Sequence, residues 1–181
     1  KMGLSLAKNA MLRGADVTLV MGKCDSEPPV FVNTVKVQSA KDMYDAVIER
    51  ADSMDIIVKA AAVADYRPKN VSSEKVKKQD GNMSIELERT DDILKLSVKE
   101  KTVNLSAVSL WKQKICLKIQ ERNLKRKIVN MIVANNLKQD GAGFGGNTNI
   151  VTLITKDDEV QLEKMTKDEV AEKIFDFILS R

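Results

Sequence analysis

Between Asp55 and Lys78 the chain reads DIIVKAAAVADYRPKNVSSEKVKK, an order of residue types suited to holding a charged ligand. Asp55-Ile56-Ile57-Val58 begins as a buried strand, Lys59 and the small Ala60-Ala61-Ala62 follow, and Asp65-Tyr66-Arg67-Pro68 turns polar. The stretch closes on the cations Lys75, Lys77 and Lys78. A strand that empties into small and then polar residues marks the carboxyl end of an open α/β sheet, where ligands sit. With no bulk beyond Cβ, Ala60, Ala61 and Ala62 let a ligand approach the backbone that follows Lys59 closely. Asp65 can accept hydrogen bonds from a ligand, and Lys75 can hold negative charge on it. Taken singly these features are ordinary, because alanines after a strand pack tightly and lysines on a hairpin usually form a solvated face. Their joint order singles out the stretch.

Composition limits the chemistry further. The 181 residues make one domain large enough to bury a core, and 43% hydrophobic with 31% charged residues is an ordinary globular mixture. There is no histidine, which excludes Ser-His-Asp and Cys-His nucleophile systems and histidine-based metal sites. The formal charge of +4 suits an anionic small molecule and is no nucleic-acid signature. No apolar run reaches the roughly 18 residues of a membrane span. The two cysteines, Cys24 and Cys116, lack paired spacing, so a reducing compartment, the cytoplasm, is expected, with no metal ligands to assign.

The elements that must position the stretch follow from periodicity. Leu4, Leu6, Ala7, Ala10, Met11 and Leu12 give the apolar face of a first helix that Gly14 stops, and Asp16–Met21 reads as a buried parallel strand. A helix feeding a strand implies an earlier strand and turn, the place of the phosphate loop in nucleotide-binding α/β folds. A loop from Gly22 to Val32, a strand from Asn33 to Gln38, and a helix from Ala40 to Ala51 capped by Ser39 come next. The Ile56–Val58 strand leads to a hairpin arm over residues 72–88, with Asp80-Gly81 as its turn. Thr90 caps a helix opening Asp91-Asp92-Ile93-Leu94, whose aspartates suit its positive end. Asn130–Ala134 is a strand, and Asn135–Asn147 is a loop holding half of the chain's eight glycines. Strands at Asn149–Thr155 and Val160–Leu162 precede a last helix with a Thr166–Glu169 capping box, burying Val170, Ile174, Phe175 and Ile178. The expected fold is a Rossmann-like three-layer α/β/α sheet, mostly parallel, with a β-hairpin arm.

These residues resemble the phosphopantothenoylcysteine synthetase family. The matching pieces are Lys1-Met2-Gly3, Gly14 to Val20, Ala60-Ala61-Ala62-Val63-Ala64-Asp65-Tyr66-Arg67, Glu74-Lys75-Val76-Lys77-Lys78, Ile132-Val133-Ala134-Asn135, and Gly143-Phe144 through Asn149. The resemblance implies a ligase of coenzyme A biosynthesis that activates 4′-phosphopantothenate with CTP, Mg²⁺ accompanying the triphosphate, and then joins the acyl-cytidylate to cysteine. It implies a homodimer in which one subunit's arm covers the other's site. A phosphopantothenoylcysteine decarboxylase, fused or separate, is the implied companion, with no flavin in this domain. By the same resemblance Lys75 is the catalytic cation; Lys59, Ala60, Ala61, Ala62, Asp65 and the helix start Asp91, Asp92, Ile93 and Leu94 meet the nucleotide; and Lys127 lies near the triphosphate. Neither nucleic acid nor membrane is an expected partner. Other readings stay open: a noncatalytic dimeric relative or regulatory subunit, or an unrelated Rossmann oxidoreductase or methyltransferase.

Two departures stand out. The family's Asn-x-Ser-Ser-Gly motif precedes the position of Lys1, so its first strand and phosphate loop have no counterpart here. Between the halves, where the family has Gly-Phe-x-x-Glu-Thr, residues 103–123 read VNLSAVSLWKQKICLKIQERN, with no amphipathic period. Codons compatible with Leu110–Asn123, read from the last base of the first codon, spell Met-Glu-Thr-Glu-Asn-Leu-Ser-Glu-Asn-Ser-Arg-Glu-Lys, a family-like segment. A compensated frameshift over Val103 to Asn123 is therefore expected, with the frame restored by Leu124. If the protein carries the segment as written, it lacks the base-contacting phenylalanine and the glutamate, and its activity is poor or absent. Sequencing the coding DNA checks this: codons incompatible with the shifted frame would refute it.

Overall fold

Helix α1 (Met2–Leu12) ends where Gly14 takes a φ of 86°, a left-handed backbone that glycine adopts without strain. The amides of Gly14 and Ala15 close the helix on the Met11 and Ala10 carbonyls at 2.9 and 3.1 Å. The chain is described here from a computed structural model, covering residues 1–72, 74–77, 81–91, 93, 102–104, 131–135 and 146–180.

Strand β1 (Thr18–Met21) pairs in parallel with β2 (Asn33–Lys36), Thr18 opposite Asn33. Residues of β1 are half-buried rather than buried as expected, because β2 is their only strand partner among the described residues. Helix α2 (Ala40–Ala51) starts on the expected Ser39, and a capping box closes it: Asp42 N–H donates to Ser39 Oγ and Ser39 N–H to Asp42 Oδ2. Hydrogen bonds from the Ser39 amide first, and then from its side chain, hold the Asp42 carboxyl below its ordinary value.

Then come β3 (Ile57–Lys59), β4 (Tyr66–Pro68), β5 (Leu87–Arg89), β6 (Thr102–Asn104), β7 (Met131–Asn135), β8 (Thr148–Asn149), β9 (Val151–Ile154), β10 (Glu159–Gln161), β11 (Met165–Thr166) and helix α3 (Lys167–Leu179). The main sheet runs β10-β9-β7-β6-β3 and is mixed. Its β3, β6 and β7 are parallel, while β9 and β10 add antiparallel pairs, as their short connection requires. Parallel pairing puts the carboxyl ends of β3 and β6 side by side, Lys59 opposite Asn104, and β7 ends beyond them at Asn135.

The arm differs from the expected one. Its paired base is β4 with β5, Tyr66 opposite Arg89, and neither residues 74–77 nor 82–86 form strand. The ladder is carried by cross-strand pairs, Arg67 Nε–Glu88 Oε1 and Lys69 Nζ–Glu86 Oε1, each at 2.8 Å. Gly81, with a φ of 111°, is the described residue of the expected turn.

The core lies where α1 and α3 cover β7 and β9. Leu6, Met131, Val133, Val151, Leu153, Val170, Ala171, Ile174 and Phe175 form one cluster. Leu12, expected on the apolar face, is exposed instead. Lys8 Nζ–Asp168 Oδ2 at 2.9 Å and Arg13 Nη2–Asp176 Oδ1 at 2.6 Å pair the two helices in the same direction, so their amino ends lie together. Hydrogen bonds from Ser5 and Lys8 hold the Asp168 carboxyl below its ordinary value. Replacing Ile174, which has no exposed surface, should cost about 2–5 kcal/mol as Ile174→Ala, against under about 1 for the half-exposed Val160→Ala. Urea unfolding measures both, and equal losses would contradict this core.

Candidate functional site

Lys59 ends β3 half-buried, and Ala60, Ala61 and Ala62 follow it, exposed, at the carboxyl edge of the parallel strands. One side of that run is walled by α1. A Cβ on Gly3 would stand 3.3 Å from Ala60 Cβ, closer than methyl groups normally pack, so the missing side chain lets the helix start abut the alanines.

The run then enters the arm. Thr90 N–H donates to the Asp65 carbonyl at 3.0 Å, and the Thr90 hydroxyl donates to the Ala64 carbonyl. Thr90, expected only as a helix cap, therefore ties the Ala64–Asp65 peptide to the segment carrying Asp91. The Tyr66 side chain hydrogen-bonds Arg89 and, with Asp65 in lesser part, raises the guanidinium's proton affinity above its ordinary value. Asp91 is exposed, Ile93 is buried, and Asp91 adds to the field of Asp45 that holds the Lys41 ammonium up. Lys75 is exposed on the arm, with no ion-pair partner among the described residues. The structure thus joins Lys59, Ala60 to Ala62, Asp65 and Asp91 along the end of β3 and the base of the arm. Asp92, Leu94 and Lys127 lie outside the described residues, as do 105–123 of the irregular segment, whose Val103 and Asn104 end β6.

Two features escaped the sequence. Lys167, the first residue of α3, is only 5% exposed; its Nζ donates to the Gly146 carbonyl at 2.6 Å, and its amide to the Asn147 carbonyl at 2.9 Å. Burial, and then the nearby Lys1, lower its ammonium's pKa. A lysine opposing the positive end of a helix was the available signal. Asn149 is buried on β8 beside Met2, its Nδ2 3.9 Å from the sulfur, while its side-chain oxygen has no hydrogen-bond partner among the described residues.

An open cavity of about 530 Å³ adjoins these residues, lined by Lys1, Ser5, Lys8, Asn147 and Lys167 but by none of Lys59–Asp65. Its lysines are engaged: Lys8 with Asp168, Lys167 with Gly146, and Lys1 with Asn147 Oδ1 at 3.2 Å. The candidate site is therefore the strand-end cluster and not this cavity. Among the described residues no three acidic or cysteine side chains converge to hold a metal, and no helix is long and apolar enough to cross a membrane.

A mixed sheet whose parallel strands carry small residues and carboxylates at their carboxyl edge defines the class, an α/β ligand-binding domain. Residues 1–181 match the family described as DNA/pantothenate metabolism flavoprotein C-terminal domain, and the chain belongs to that family. It is 45% identical over 159 residues to the coenzyme A biosynthesis bifunctional protein CoaBC of Bacillus subtilis (strain 168), covering 87% of this chain and 39% of that protein. It is 39% identical over 182 residues to the CoaBC of Vibrio cholerae, covering 98% of this chain and 45% of the relative. The chain thus spans less than half of those relatives' length. A solved CoaBC C-terminal domain superposes with a TM-score of 0.78 at 41% identity, covering 99% of this chain and 82% of that one. A DNA/pantothenate metabolism flavoprotein from Streptococcus pneumoniae shares the fold with a TM-score of 0.79 at 19% identity.

The Gly3 contact can be tested alone. Gly3→Ala trades crowding against better helix propensity and should stay within about 1 kcal/mol of the unchanged chain. Gly3→Val should cost about 1–3 kcal/mol through overpacking. Equal unfolding free energies for the two variants would mean that Ala60 is no wall.

Proposed function

We propose that this domain catalyses the ligase step of coenzyme A biosynthesis, joining 4′-phosphopantothenate to cysteine at the expense of CTP. The observation that carries the reading is the cluster at the end of β3: an accessible alanine backbone leading into Asp65, with Asp91 tied alongside through Thr90. Family membership and the CoaBC relatives support it.

In this reading the carboxylate of phosphopantothenate attacks the α-phosphorus of CTP. A P–O bond forms, the bond to the β-phosphate oxygen breaks, and pyrophosphate leaves. The cysteine amine then attacks the acyl carbon, the C–O bond to CMP breaks, and the amine's proton is released as the amide forms. Neither step needs a nucleophile from the protein, which suits a chain without histidine. The backbone of Lys59 to Ala62 receives the nucleotide in a region without bulky side chains, and Asp65 accepts hydrogen bonds from its base or ribose. Lys75 neutralises the acyl-phosphate and the departing CMP. Its exposed place on the arm means that it reaches the cluster only when the arm and cluster meet. In this reading Mg²⁺ accompanies the triphosphate, whose oxygens are its natural ligands.

Dimerisation supplies such a meeting. Met83, Ile85 and Leu87 alternate along the arm, all exposed, with Val71 and Val76 exposed nearby. An apolar row of this size fits a second copy of the chain better than water. The decarboxylase expected as companion would supply phosphopantothenate's cysteine adduct with its next reaction. A noncatalytic dimeric role is the second reading, favoured by the irregular sequence of residues 103–123.

Pyrophosphate release from CTP, with phosphopantothenate and cysteine present, tests the reaction. Lys75→Gln should lower turnover by about 10²-fold or more, the scale of one lost oxyanion donor, while leaving the dimer intact by light scattering. Turnover unchanged in that variant would remove Lys75 from the chemistry, and none in the unchanged chain would favour the second reading.

A further inference from the structure

We propose that Thr90 is a positioning residue for the nucleotide, acting through the Ala64–Asp65 backbone; this rests on the nucleotide reading of the β3 end. The β4–β5 ladder ends with Tyr66 opposite Arg89, so the next rung would place Asp65 opposite Thr90. Thr90 N–H completes that rung by donating to the Asp65 carbonyl at 3.0 Å. Its hydroxyl then reaches one residue further and donates to the Ala64 carbonyl. The two bonds extend the arm's rigidity by one residue, into the connection between the exposed alanines and Asp65.

The consequence is geometric. Asp65 is exposed, and its carboxylate has no buried wall to hold it, so its direction depends on its own backbone. That backbone is fixed on one side by the β4 ladder and on the other by the Thr90 hydroxyl. Thr90 also immediately precedes Asp91, so one residue sets the spacing between the two carboxylates. A valine of the same shape would keep the amide bond to Asp65 and lose only the hydroxyl bond to Ala64. Serine would keep both. The hydroxyl does not need to touch the nucleotide; it holds the peptide that presents Asp65.

Calorimetric titration with CTP of the unchanged full chain, Thr90→Val and Thr90→Ser tests this, with melting midpoints recorded alongside. Thr90→Val should weaken CTP binding by about fivefold, the worth of one hydrogen bond, with a folded chain. Thr90→Ser should stay within about twofold of the unchanged chain, since one methyl contributes little at a half-exposed site. Unchanged affinity in the valine variant overturns the proposal, and so does equal weakening in both variants. A valine variant that fails to fold, beside a serine variant that folds and binds normally, makes the hydroxyl structural and also overturns it. CTP binding absent from the unchanged chain defeats the nucleotide reading itself, which distinguishes that failure from failure of the Thr90 assignment.

Discussion

The first turn of α1 is pressed between two parts of the chain that are far apart in sequence, and the rest of the architecture depends on that seat. On one side Gly3 abuts Ala60 so closely that a Cβ there would crowd the Ala60 methyl by a few tenths of an ångström. On the other, Met2 packs against the core and reaches Asn149, and Lys1 bonds Asn147. A glycine in a helix interior costs about 1 kcal/mol of propensity. At this position its value is the close approach it allows, since any larger residue would move either the helix or the end of β3.

The seat is held from behind by the pairing of α1 with α3. The hydrophobic cluster gives the pairing its energy, and the ion pairs at Lys8 and Arg13 fix its direction more than its strength, because partly exposed pairs contribute little. Lys167 completes the arrangement at the amino end of α3. Its ammonium is desolvated, opposed by the helix dipole, and close to Lys1, yet it keeps the Gly146 carbonyl. A lysine retained against three unfavourable terms anchors the stem of the glycine-rich segment beside the start of α1.

The elements with strong local signals were legible in the sequence. Gly14, Ser39 and the Thr166–Glu169 box mark helix ends through local hydrogen bonding and backbone freedom, and each lies where expected. The β3 strand and its alanine run were legible as a local pattern, although the strand is half-buried rather than buried, runs from Ile57 to Lys59, and leaves Ile56 exposed. The arm was misplaced because its ladder is set by long-range pairing of Tyr66–Pro68 with Leu87–Arg89. Asp80-Gly81 signalled a turn without saying how far out the strands meet. Thr90 read as a cap because its neighbours look like a helix start, whereas its hydroxyl bonds a carbonyl 26 residues earlier. Lys167 carried no expectation, because the Gly146 carbonyl that its ammonium meets lies 21 residues away in the sequence. Contacts of this kind come from folding the chain and leave no period in its sequence.

If the alanine run and the first turn of α1 form one unit, a ligand at the first must be felt at the second. Amide hydrogen exchange with and without CTP measures this directly. Protection is expected at Ala60–Asp65 together with slower exchange at the start of α1, around Gly3 to Ser5, while the distal end of α3 stays unchanged. Protection confined to the cavity residues Asn147 and Lys167, with Ala60–Asp65 unaffected, would place the nucleotide elsewhere and contradict the site described here.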